Sequence, residues 1–197
     1  MEKSVKALTF LTIISLFISQ VNAQFKLPSV NGIAADVKKV IEDYPNRFIN
    51  LMGEIAAEHT QSTDYHCNFN VNGAEESIIT RYSAKKEQCS WQALMLTTES
   101  FEKAKQKFKS LFGQLNNLSV SNGKTHFRLK GEYESPNEEK KFNSILFSLG
   151  PGNEPAQKLK VEISMQLAAP MEWKVKLLVY DREREDIERG KTIEDSQ

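Results

Sequence analysis

The sequence predicts an α+β fold: an antiparallel sheet of about seven strands with two main helices packed on one face. Three observations predict it. Two segments carry apolar residues at helical spacing, around Ile33–Ile55 and Phe101–Leu115. Several shorter segments alternate apolar and polar residues with the period of a half-buried strand. The helical stretch Gln106–Leu115 also echoes Asn46–Ile55 sixty positions earlier, with Phe48 matching Phe108, Leu51 matching Leu111 and Gly53 matching Gly113. The echo suggests an internal α-βββ duplication.

The chain opens as an export signal. Lys3 and Lys6 give a positive start, Ala7–Ile18 is apolar, and Val21-Asn22-Ala23 is a small-residue cleavage site. The apolar run is shorter than the ~20 residues that span a bilayer. Cleavage after Ala23 would release a single domain of Gln24–Tyr180, with a charged tail from Asp181 to Gln197. The expected location is periplasmic or extracellular. With 26 basic and 26 acidic residues, no global charge points to nucleic acid or to a membrane surface.

In chain order, Ile33, Val37, Val40, Ile41, Tyr44, Phe48, Leu51, Met52 and Ile55 form one apolar stripe, interrupted by Pro45. Either a single helix kinks there or a second helix starts with Pro45 in its first turn. Tyr65, Cys67, Phe69 and Val71 alternate with polar residues as a strand, and Asn72-Gly73 is a hairpin signal. Ser77–Ser83 returns, and Cys89–Thr97 follows. Thr98 or Ser100 caps the helix Phe101–Leu115, and Asn116-Asn117 stops it. Four strands are expected in the last third, around Phe127–Tyr133, Phe142–Leu149, Leu159–Leu167 and Trp173–Val179. Gly150-Pro151-Gly152-Asn153 reads as a loop.

With the apolar alternates turned to the helices, Arg128, Lys130, Lys158, Lys160, Lys174 and Lys176 project from the opposite face, with Tyr180 nearby. Such a face suits an anionic glycan, a lipid headgroup or an acidic protein patch of the cell envelope. The plain alternative is a solvated face whose lysines limit edge pairing. The acidic tail is a further element able to shield it. Cys67 and Cys89 suggest a disulfide in an oxidising compartment. In a simple meander their strands lie about 9.6 Å apart, beyond the ~7 Å a bridge tolerates, so the bridge and the meander exclude each other; the compartment favours the bridge.

No cofactor or metal is expected. His59, His66 and His126 lack ligand spacing, and His66 and Cys67 point to opposite faces of a strand. The chain carries no nucleophile elbow, P-loop, zincin helix or Rossmann glycine pattern. Glu54 and Glu58, placed on one helix face, read as soluble surface. The expectation is a non-catalytic binding or interaction module. A carrier of a small apolar ligand lined by Trp91, Phe108, Phe112 and Trp173 is the alternative, and a hydrolytic or metal-dependent enzyme comes third.

Asp43-Tyr44-Pro45-Asn46-Arg47-Phe48 and Val179-Tyr180-Asp181-Arg182-Glu183-Arg184-Glu185 resemble parts of a family of small exported bacterial proteins with no assigned activity. The resemblance implies export and a single domain. The tandem helix-and-sheet plan is also similar in outline to exported protease or lactamase inhibitor modules, a likeness of architecture alone.

Overall fold

The structure, a computed structural model, describes residues 32–83, 88–122, 125–150, 158–168 and 171–181. The expected signal segment, the loop 151–153 and the tail beyond Asp181 lie outside these residues. The elements are helix α1 (Gly32–Asp43), two short 3-10 turns (Tyr44–Asn46 and Ile49–Leu51), strands β1 (Met52–Glu58), β2 (Ser62–Cys67), β3 (Glu76–Tyr82) and β4 (Cys89–Thr98), helix α2 (Phe101–Leu115), and strands β5 (Ser119–Asn122), β6 (Thr125–Lys130), β7 (Phe142–Gly150), β8 (Leu159–Ala168) and β9 (Glu172–Asp181). The strands form one antiparallel sheet in the order β1-β2-β3-β4-β9-β8-β7-β6-β5. Each helix leads a meander, and the last strands of the two meanders pair at the centre of the sheet.

The α+β class and the antiparallel sheet with two helices match expectation, but the sheet has nine strands rather than seven. One unforeseen strand, β5, carries a single large apolar residue, Val120, and so shows little alternation. The other, β1, replaces the helix expected over Asn46–Ile55. That stretch cannot continue α1. Pro45 starts a 3-10 turn, and Arg47 and Phe48 both take left-handed backbone at φ 55° and 58°. Asp43 holds the turn. Its carboxylate accepts bonds from Asn46 Nδ2 (3.0 Å), Asn50 Nδ2 (2.6 Å) and the Asn50 N–H (3.2 Å). Phe48 and Leu51 still enter the core, which is why their spacing mimicked a helix, whereas Ile55 is exposed.

The sixty-residue echo therefore pairs a turn and strand with a helix, and the two glycines in it have unrelated roles. A Cβ on Gly53 would lie 2.8 Å from the His66 carbonyl oxygen, where β1 approaches β2 beside a register shift. A Cβ on Gly113 would meet nothing within 4 Å on the exposed side of α2. Glu54 and Glu58 accordingly sit on a strand.

α2 forms as expected. Ser100 Oγ accepts the Lys103 N–H, Glu102 lies in the first turn, and Asn116 ends the helix with Asn117 at φ 70°. Its stripe of Ala104, Phe108, Leu111 and Leu115 is fully buried against β4, β8 and β9. Trp91, Ala93, Val161, Ile163, Met165, Val175 and Leu177 meet it from the sheet. Each fully buried large side chain contributes about 1.5–3 kcal/mol of transfer free energy.

α1 packs on β5 and touches α2. It also makes two polar ties: Asp36 accepts the Asn72 N–H in the β2–β3 turn at 2.8 Å, and Glu42 accepts the Ser121 hydroxyl in β5 at 2.8 Å. Six helical residues advance about 9 Å. In a flat sheet β3 and β5 would be six spacings apart, about 29 Å. The sheet therefore curls around the helices, and its helix-free face is the outer one.

The cysteines are a correction. β2, β3 and β4 form the simple meander, and no disulfide joins Cys67 and Cys89. Cys89 faces Arg81 across β3, while His66 faces Ile78, so the two sulfurs approach β3 from opposite sides and four residues apart. That separation is about 16 Å, far beyond bridging reach. Burial pushes the Cys67 thiol above its ordinary pKa, against smaller opposing effects of the Phe69 backbone, Trp91 and Lys39. The Trp91 indole N–H lies on the Cys67 side but makes no hydrogen bond of normal geometry, and buried Ser77 Oγ likewise has no partner.

Two measurements check this fold. Gly53→Ala is expected to destabilise by more than 1 kcal/mol and Gly113→Ala to stabilise by about 0.5–1 kcal/mol in urea titrations, whereas equivalent glycines would shift in the same direction. Mass spectrometry without reductant is expected to find two thiols. At neutral pH Cys67 should alkylate more slowly than a free cysteine, accelerating as pH rises and the thiolate forms. A mass two protons lower, from a bridged pair, would contradict the meander.

Candidate functional site

Strand register decides which of the candidate basic residues share a surface. On β6, Phe127 and Leu129 are buried against the core, so His126, Arg128 and Lys130 point outward, and all three are exposed. Arg128 pairs with Gly150 and Lys130 with Ser148 on β7. Further along β7, Leu146 pairs with Glu162 and Ser144 with Ser164 on β8. Those residues pair with Leu178 and Lys176 on β9, and Gln166 pairs with Lys174. The even-numbered positions of β6 to β9 thus form one face, opposite the helices.

That face is not a uniform platform. Arg128 and Lys130 form one group on β6, next to the edge strand β5. Lys158 is exposed at the start of β8, and Lys160 lies opposite Tyr180. Lys174 and Lys176 lie at the other end of β9 and are half-buried. Between the groups stand Leu146, Leu178 and Glu162. Tyr180, expected as an exposed neighbour, is buried, and its hydroxyl donates to Glu162 Oε2 at 2.7 Å. Only 7% of Glu162 is exposed, so this carboxylate is withdrawn from the surface despite its position among lysines. The centre of the face is also drier than expected. Ser90, opposite Tyr180, and Ser164, opposite Lys176, are buried beside those longer side chains.

The β6 group borders an open pocket of about 640 Å³, lined by Ser119, His126, Phe127, Arg128, Lys130 and Gly150. Its location follows from the sheet. β7 pairs with β8 through Phe147 and then with β6 from Ser148 to Gly150. On either side of Arg128 the cross-strand neighbours are small, Ser119 on β5 and Gly150 on β7. Small neighbours leave a guanidinium room to reach a ligand, and its planar fork can grip a carboxylate or sulfate with two parallel bonds. The sequence located Arg128 and Lys130 by alternation. It missed Ser119, because β5 itself was missed, and it read His126 only as an outward position.

The other candidate residues are placed elsewhere. His59 pairs with Asp64 at 3.3 Å, and His66 is exposed on β2. Among the described residues no group of three or more His, Cys, Asp or Glu side chains is arranged to hold a metal ion. No helix is long and apolar enough to cross a membrane among those residues. Trp91 and Phe108 are fully buried in the core, Phe112 stacks on Phe147 at 5.9 Å, and Trp173 meets Phe101 edge-on at 5.2 Å.

Tyr180→Phe is expected to cost about 1–3 kcal/mol, because it leaves the buried Glu162 carboxylate without this donor; a urea midpoint equal to wild type would show that the bond carries no weight. No protein-family model, curated protein or solved structure matches this chain.

Proposed function

We propose that the chain is an exported, non-catalytic binding module that captures an anionic ligand on the outer face of its sheet, centred on the β6 pocket. The observation that carries this reading is the convergence of His126, Arg128 and Lys130, at alternate positions of one strand, on a pocket whose other walls include Ser119 and Gly150. Two cations and an imidazole there meet no carboxylate among the residues that line the pocket. Such a cleft attracts anions over distances of about a Debye length, ~8–10 Å in physiological salt.

Export rests on the charged start, apolar run and Ala23 cleavage site, and the resemblance to small exported bacterial proteins points the same way. Binding in place of catalysis rests on the sequence, which carries none of the motifs that assemble a nucleophile, base and oxyanion site. The ligand class that suits an envelope location is an anionic glycan or the acidic patch of an envelope protein. The same plan appears twice, a helix followed by a meander whose last strand joins the central β4–β9 pair, and we propose an internal duplication of that unit, out of step with the sixty-residue echo.

The double variant Arg128→Glu/Lys130→Glu tests the pocket. Binding of sulfated or uronic-acid glycans, followed by calorimetry, is expected to weaken at least tenfold, equivalent to about 1.4 kcal/mol, and wild-type binding should itself weaken as salt rises. Undiminished affinity in the double variant would remove the pocket as the binding site.

A further inference from the structure

Resting on that reading, we infer that the ligand is an extended acidic polysaccharide lying diagonally across the outer face, from the β6 pocket past Lys160 to Lys176 and Lys174. The cations of this face do not converge on one point. Lys130 pairs with Ser148 on β7, whose neighbour Phe147 pairs with Val161 on β8, so Lys160 lies two strands from Lys130, about 10 Å. Lys176 lies one strand and four residues further, about 14 Å, and Lys174 another two residues along β9. A compact anion engages one of these groups. A linear polyanion engages them in succession.

The track between the cations has the chemistry of a sugar-binding surface. Ser144, Ser148 and Gln166 offer neutral hydrogen-bonding groups on the same face. Phe142 is half-exposed opposite Gln166, which itself neighbours Lys174, so an apolar ring stands beside an amide and an ammonium. A pyranose presents hydroxyls at its edge and C–H groups on its face, and this combination matches both. Glu162, the carboxylate midway along the path, is buried and held by Tyr180, whereas Glu172 on β9 and Glu75, which accepts from Thr97 opposite Lys174, stand at the far end of the track. Nucleic acid fits less well: the chain has a formal net charge of zero and a pI near 6.8, without the strongly basic balance of a phosphate-backbone binder.

The experiment uses the mature chain and size-graded heparin and polygalacturonate oligosaccharides, from disaccharide to dodecasaccharide, by calorimetry. Disaccharides are expected to bind weakly. The longest chains are expected to bind at least tenfold tighter, because the second cation group is then engaged intramolecularly. Lys160→Glu/Lys174→Glu, with the fold checked by circular dichroism and thermal melting, should bring long-chain affinity down to that of the disaccharide. Affinity independent of length would overturn the track while leaving the pocket reading intact. No binding at any length would overturn both. Tighter binding of an acidic peptide or single-stranded nucleic acid of matched charge would overturn the assignment to polysaccharide.

Discussion

The fold depends on the way α1 bridges distant parts of one sheet. Twelve residues of helix reach from the β2–β3 turn, through Asp36 and Asn72, to β5, through Glu42 and Ser121. A flat nine-stranded sheet would hold those partners far apart, so the polar ties are satisfied only when the sheet curls. The apolar face of α1, from Ile33 to Ile41, supplies the driving force, because it is buried only if the curl closes over it. Tyr44 adds a further tie, donating to Asp181 at the end of the central strand β9 at 2.9 Å. The turn after α1 serves the same end. Asp43 caps Asn46 and Asn50 with its carboxylate, reverses the chain and delivers β1 to the edge of the sheet.

Curvature also creates the outer face. The helices occupy the inner side, where odd-numbered residues of β6 to β9 form an almost continuous apolar layer. The even-numbered residues are left to other uses. At the centre they are buried hydroxyls and a tyrosine–glutamate bond; on β6, next to the edge strand β5, they become exposed cations around a pocket. The pocket lies where β7 changes partner, from β8 to β6. The space at that junction is bordered by Gly150 and Ser119, which have little side chain to fill it. The site is therefore a product of sheet geometry and side-chain size together.

The cysteines and the buried tryptophan illustrate a different balance. Cys67, at the end of β2, packs against the core beside Trp91, and Cys89 begins β4 opposite Arg81. Their even number suggested a bridge, but the pairing of β2 and β4 on either side of β3 keeps them apart. Cys89 is buried within the core and Cys67 packs against it half-buried, both as small side chains of the interior. Burial disfavours the charged form of Cys67, which suits packing better than reactivity.

The sequence alone determined the α+β class, the position and cap of α2, a chain reversal at Asn72-Gly73, though within a longer β2–β3 connection than a two-residue hairpin, and the outward direction of Arg128, Lys130, Lys160, Lys174 and Lys176. Those features follow from local period and local capping, which need no knowledge of distant partners. Tertiary structure decided the rest. Whether Asn46–Ile55 became helix or turn and strand depended on a carboxylate knot and a sheet edge that spacing cannot reveal, because Phe48 and Leu51 are buried in either case. β5 was invisible because pairing with β6, not its own hydrophobicity, makes it a strand. The division of the lysines into separated groups, and the withdrawal of Tyr180 and Glu162 between them, arose from register across four strands, a relation among residues far apart in the chain.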